Sequence, residues 1–146
     1  MPAYSRTSAR RLGECHPDLQ TLFNEVIKEW DCSILCGARS KDEQDEAVRM
    51  GRSKKRWPKS NHNVDGKHQK TAWAADAAPY PIDWKDGKRF AFFAGIVLET
   101  ARRLKAEGRM KYAVRWGGDW DSDGNIREHS FFDGPHFELV GVKVGE

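Results

Sequence analysis

The sequence predicts an α+β fold, a small antiparallel sheet flanked by helices. Two observations carry that expectation. Helical and strand periodicities both occur, yet they never settle into the regular strand–helix–strand alternation of a parallel sheet. The apolar runs that read as strands, Cys32 to Cys36 and Ala113 to Trp116 among them, are also short. A length of 146 residues suits one modest core. With no internal repeat, low-complexity run or linker, a single domain over residues 1–146 is expected.

The elements follow in order. Pro17 is placed to open a helix, and Leu19, Leu22, Phe23, Val26, Ile27 and Trp30 recur on one face of it. Cys32 to Cys36 reads as a strand. Ser40-Lys-Asp-Glu43 is a capping box that starts a short helix running to about Met50. Residues 51–71 are too rich in Lys, Asn and His for core. Ala72 to Ala78 is a small apolar segment interrupted by Asp76, and Pro79-Tyr-Pro81 closes it with an extended exit. A long helix is expected from Lys88 to Ala106, with Phe90, Phe93, Val97, Ala101 and Leu104 on its buried side. Ala113 to Trp116 reads as a strand ended by Gly117-Gly118. A polar loop then spans Asp119 to Ser130, and His136 to Val140 reads as the last strand.

Composition narrows the classes. Hydrophobic residues make up 38% and charged residues 32%, the balance of an ordinary globular protein. No stretch approaches the roughly 18 apolar residues of a membrane span. The N-terminus, Met1-Pro-Ala-Tyr-Ser-Arg6, lacks the apolar core of a signal peptide. The net charge of +3 is mild. Its basic clusters, Lys54-Lys-Arg56 among them, read as solvated charge or as a surface for an anionic partner. Cys32 and Cys36, four strand residues apart, are separated by roughly 13 Å, too far to bridge. With Cys15 they read as small buried hydrophobes. Six tryptophans are many for this length, and such rings either fill cores or line clefts that hold extended ligands.

Chemistry is sought where polar groups interrupt apolar patterns. Asp76 lies in Ala-Ala-Asp-Ala-Ala, where a carboxylate is costly unless paired or metal-bound. His136 opens a strand three residues after Asp133, and His62 lies in Ser60-Asn-His-Asn63. Two imidazoles and a carboxylate suit catalytic zinc with a fourth position for water. Asp133, tied to His136 by a short turn, suits a base. Surface histidines and a turn-capping aspartate are the competing reading, because these residues are scattered rather than set in a compact helical motif. Asp119-Trp-Asp121-Ser-Asp123-Gly124 also matches the opening of a calcium loop, acidic at positions one, three and five with glycine at six. Ser130 occupies position twelve, where a bidentate glutamate belongs, so an acidic hairpin loop competes with that reading.

Several segments together carry a resemblance: Gly37-Ala-Arg-Ser40 with Gln44, Gly51-Arg-Ser53, Trp57-Pro-Lys-Ser-Asn-His-Asn63, Ala75 to Trp84, Arg115 to Trp120, and Asp133-Gly-Pro-His-Phe-Glu-Leu139. Taken in order they resemble the zinc peptidases that include VanY-type D,D-carboxypeptidases and the L-alanyl-D-glutamate endopeptidases used by phages as endolysins. The endolysin branch is the nearer. The resemblance implies a Hedgehog/D,D-peptidase-like fold and a zinc site held by His62, Asp76 and His136. It makes Asp133 the catalytic base and Arg39 the residue that holds substrate or the developing oxyanion. Ser60 and Trp116 are the expected substrate contacts, with Trp116 and Trp120 either walling the cleft or packing in the core. The interval from His62 to Asp76 is long and contains His68, a rival ligand that lacks the preceding serine.

The implied activity is zinc-dependent hydrolysis of the L-Ala–D-Glu bond in cell-wall stem peptides. Removal of terminal D-Ala is one alternative, and a non-catalytic wall- or nucleic-acid-binding module is another. The expected cofactor is zinc, with calcium as a second candidate. The expected partner is peptidoglycan, reached by a monomer with no membrane insertion, no nucleic-acid partner and no separate wall-binding domain. The expected route is synthesis in a host cytoplasm and action on the wall after membrane permeabilisation.

Overall fold

A computed structural model describes residues 2–125 and 133–146. Among these are helices α1 (Arg6–Gly13), α2 (Pro17–Glu29), α3 (Lys41–Arg49) and α4 (Gly87–Ala106) and strands β1 (Cys32–Cys36), β2 (Ala74–Pro79), β3 (Ala113–Trp116) and β4 (His136–Val140). The strands form one sheet in the order β1-β2-β4-β3, every neighbour antiparallel. The α+β expectation therefore stands. The far end of the 119–130 loop, including Ser130, lies outside the described residues.

The helices start where their local chemistry dictates. His16 Nδ1 accepts from the Asp18 N–H at the head of α2, one residue before Pro17. The capping box of α3 is complete, with Glu43 N–H donating to Ser40 Oγ and Ser40 N–H donating to Glu43 Oε1. Asp86 Oδ1 accepts from Arg89 N–H and opens α4. Sequence reading missed α1, whose polar run offers only Ser8 and Leu12 to the interior. Its role is to cover the irregular end of β1. Ser8 Oγ accepts from Ile34 N–H at 3.0 Å, and Arg11 Nη1 donates to Ile34 O at 3.1 Å. β2 begins at Ala74 rather than Ala72, since Ala72 makes only an isolated bridge to Cys15.

Helices α2 and α4 contribute Leu19, Phe23, Val26, Phe93, Val97 and Leu104 to a buried cluster. The sheet adds Ile34, Ala75, Ala77, Trp116, Phe137 and Leu139. Strand alternation then turns Asp76, His136 and Glu138 to the opposite face. That face is where the polar residues gather. Among the described residues, no helix is long and apolar enough to cross a membrane.

Candidate metal centre and cleft

Three elements meet at the polar face. Asp76 on β2 stands directly opposite His136 on β4, and Cys36 on β1 is its partner on the other side. His62 comes from the irregular segment between α3 and β2, which local hydrogen bonds hold in shape. Ser60 Oγ accepts from the His62 N–H at 3.2 Å, and Asn63 Oδ1 accepts from the Ser60 N–H at 3.0 Å. Arg39 N–H donates to the His62 carbonyl at 2.7 Å. Although residues 51–71 read as too polar for core, Ser60, His62, Asn63 and Gln69 are buried.

The donor atoms form a triangle. His62 Nε2 to Asp76 Oδ1, His62 Nε2 to His136 Nδ1, and His136 Nδ1 to Asp76 Oδ1 are each 3.2 Å. Three vertices of a tetrahedron about 2.0 Å from its centre stand about 3.3 Å apart, so the spacing fits a tetrahedral cation of zinc's size. The donor set fits as well, two nitrogens and a carboxylate oxygen. Cys36 is close by: one donor atom from each of Cys36, His62 and Asp76 lies within 4.8 Å of the others. The triangle completed by His136 is the tighter and matches tetrahedral spacing. The half-buried Cys36 is thus a neighbour of the centre rather than one more piece of apolar core. His68 is elsewhere, exposed and 5.4 Å from the Trp73 ring.

Each imidazole is aimed by a partner on its far side. His62 Nδ1 donates to the Gly37 carbonyl at 2.8 Å, which leaves Nε2 as the free lone pair facing Asp76. His136 Nε2 donates to Glu138 Oε1 at 2.7 Å, leaving Nδ1 toward the centre. Glu138 is itself held by Arg115 Nη2 at 2.6 Å and Asn61 Nδ2 at 2.9 Å. Sequence reasoning missed Glu138, yet a signal existed: in His-Phe-Glu on a strand, the first and third residues share a face.

Electrostatics follow the packing. Burial opposes charge on Asp76, but the neighbouring His62 and His136 outweigh it and hold the carboxyl far below its usual range. Burial likewise disfavours charge on His62, and the Asp76 carboxylate reverses this and drives the imidazole up. Glu138 is lowered to about 2, because its bonds with His136 and Arg115 overcome its burial. Asp133 moves the other way. Its burial and the Asp76 charge raise it, against the pull of His136, His62 and Arg39.

Asp133 and Arg39 both line the cleft on either side of the centre. The Asp133 N–H donates to Gly117 O at 2.9 Å and its carbonyl accepts from His136 N–H. Arg39 Nη2 lies 4.0 Å from Asp76 Oδ2, while Nη1 donates to Gln44 Oε1 at 2.9 Å. Buried Gln44 also receives Asn63 Nδ2 and donates to Ser53 Oγ, tying Arg39 to the segments around it. Ser60 lines the cleft, and its hydroxyl supports His62 by accepting from the His62 N–H.

Trp116 does not take the expected place on the wall. It is 4% exposed, packs in the core and donates its indole N–H to Gly134 O at 2.7 Å. Trp120 is on the wall instead, with its ring 5.5 Å from that of His136 and beneath the Arg115 guanidinium. The carboxylates of Asp119, Asp121 and Asp123 do converge within 4.8 Å. They close turns, however: Asp119 accepts from Gly124 N–H, Asp121 from Asp123 N–H and Asp123 from Asn125 N–H. Proximity alone does not support a calcium site there.

A family profile described as phage L-alanyl-D-glutamate peptidase matches residues 2–140. The chain belongs to the phage L-alanyl-D-glutamate peptidase family. Among solved structures it is similar to the L-Ala D-Glu endopeptidase ChiX of Serratia marcescens, at 27% identity and a TM-score of 0.68. That match covers 94% of this chain and 90% of the other. No curated protein sequence matches. Membership accounts for the fold and makes the chain a peptidase of cell-wall stem peptides.

Proposed function

We propose that the protein is a zinc-dependent endopeptidase that hydrolyses the L-Ala–D-Glu bond of peptidoglycan stem peptides, with His62, Asp76 and His136 holding the metal. The observation that carries the reading is the 3.2 Å triangle of two nitrogens and one oxygen, lying at the centre of the cleft of a family member. Zinc, when bound there, supplies Lewis acidity that polarises a carbonyl and acidifies water. The chain's own residues do the rest. Asp133 accepts a proton from the attacking water and returns it to the departing amine. Arg39, anchored through Gln44, opposes the negative charge that develops on the carbonyl oxygen. Glu138 and the Gly37 carbonyl hold the two imidazoles in the required tautomers.

In its setting the protein acts as a phage lysis enzyme on the wall, as a monomer, once the membrane has been breached. The test is digestion of purified peptidoglycan, with mass spectrometry of the products. Treatment with chelator is expected to stop release of peptides beginning with D-Glu, and zinc to restore it. Release of D-Ala alone, or cleavage indifferent to chelator, would overturn the proposal.

A further inference from the structure

Two adjoining halves of the cleft border the candidate centre, one lined by His62 and His136 and the other by Asp76, and they differ in charge. Arg39, Arg52 and Asp133 line both halves. Beyond those three, and among the described residues, one half carries Lys54, Lys55 and Arg115 against the single carboxylate of Glu138. Apart from the candidate ligand Asp76, the other carries Asp42, Glu43 and Glu46 against the single guanidinium of Arg11. This second half also ends on Trp84, which is 64% exposed although its indole stacks on buried Phe90 at 5.5 Å and 21° between planes. An aromatic ring held rigid on one side and open on the other is a binding platform rather than core.

The two sides of the scissile bond differ in a matching way. On the amino side, L-Ala is joined at once to the lactyl ether of an amino sugar, which is neutral, ring-shaped and rich in hydroxyls. On the carboxyl side, D-Glu is linked through its γ-carboxyl, so its α-carboxylate is free, and the residues beyond it add further carboxylates. Hydroxyl donors suit carboxylates beside an aromatic face, and carboxylates suit lysine and arginine. Glu43 and Glu46 already engage Ser40 and Arg49, but each carboxylate keeps lone pairs for further donors.

Resting on the endopeptidase reading above, we infer that the cleft takes its substrate in one direction. The saccharide lies over Trp84 and the Asp42–Glu46 face of α3, and the D-Glu α-carboxylate faces Lys54 and Lys55. Trp84 and the lysine pair are then specificity-determining residues on opposite sides of the bond. The lysines read the free carboxylate, and the tryptophan reads attachment to the glycan.

The experiment compares three soluble substrates with the zinc-loaded protein: a free stem peptide, the same peptide on its muramyl sugar, and the free peptide with the D-Glu α-carboxylate amidated. Trp84→Ala is expected to lower kcat/KM on the muramyl substrate about threefold to tenfold more than on the free peptide, the range of one lost ring contact. The charge reversal Lys54→Glu with Lys55→Glu is expected to lower kcat/KM on the free peptide and to lose most of that effect on the amidated one. Both sites are exposed, and the melting temperatures of the variants are expected to stay close to that of wild type. Equal losses on paired substrates, or no loss, overturn the direction while leaving the endopeptidase reading in place. Wild-type cleavage at another bond, read from product masses, overturns both.

Discussion

Glu138 sits two residues beyond His136 on the same strand face, and its 2.7 Å bond decides which imidazole nitrogen turns to the centre. Removing it leaves His136 free to adopt either tautomer and leaves Arg115 without its carboxylate partner. Glu138→Ala is expected to weaken zinc binding by roughly 10- to 100-fold in chelator competition, the usual scale for such supporting bonds. Glu138→Gln, which keeps an acceptor oxygen, should recover part of it. His136→Ala should lose zinc and lysis together, and retention of either would remove His136 from the ligand set. The thiols separate by environment. Burial pushes Cys15 up to about 12 and Cys32 up to about 11, so both stay protonated near neutrality. A maleimide pulse at about pH 8 is therefore expected to label half-buried Cys36 first, and the other two only after unfolding. Equal labelling of Cys15 in peptide mass maps would contradict this packing.

At the scale of elements, glycines mark where segments touch. A Cβ on Gly117 would lie 2.2 Å from the Asp133 carbonyl oxygen, and one on Gly37 would lie 2.1 Å from that of Arg11. Backbone does not yield at such distances. Gly117→Ala is expected to cost about 2 kcal/mol in denaturant midpoint analysis and to displace Asp133, cutting kcat beyond the loss of stability. Gly95 is the contrast, exposed in the middle of α4 with nothing within 4 Å of an added Cβ. Gly95→Ala should stabilise by about 0.5–1 kcal/mol from helix propensity alone. The legible elements were those with a strong local signal, namely the α2 and α4 faces and the α3 capping box. Helix α1 was not, since the contacts that justify it, Ser8 and Arg11 to Ile34, join residues about two dozen positions apart.

Across the whole molecule, Glu146 gathers distant segments. Its side chain receives Tyr112 Oη at 2.6 Å, Lys111 Nζ at 3.3 Å and His16 Nε2 at 3.3 Å, and its carbonyl accepts from Lys70 and Thr71. The bond from Tyr112 first, and then Lys111, lower its carboxyl below the ordinary 4.5. A lowered carboxyl contributes stability in full above its unfolded value, and that contribution is lost as pH falls through the folded value. The melting temperature of wild type should therefore exceed that of Glu146→Gln near neutrality, and the gap should narrow in acid as pH falls below the ordinary carboxyl value. A gap that widened in acid would reverse the assignment.

The sequence by itself determined the types of the strands and of α2, α3 and α4, and the capping box, and it singled out Asp76 and His136 because a charged or polar group interrupts an apolar run there; His62, Asp133 and Arg39 stood out mainly through the family resemblance. Tertiary structure alone decided that His62 rather than His68 joins the triangle, since a buried turn held by Ser60 and Asn63 aims it there. It also sent Trp116 to the core and Trp120 to the wall, a choice set by strand alternation and by Gly134 offering a carbonyl to the indole. The charge asymmetry of the cleft is tertiary for the same reason. Residues 42–46, 54–55, 84 and 115 become neighbours of one centre only when the sheet brings β2 and β4 together.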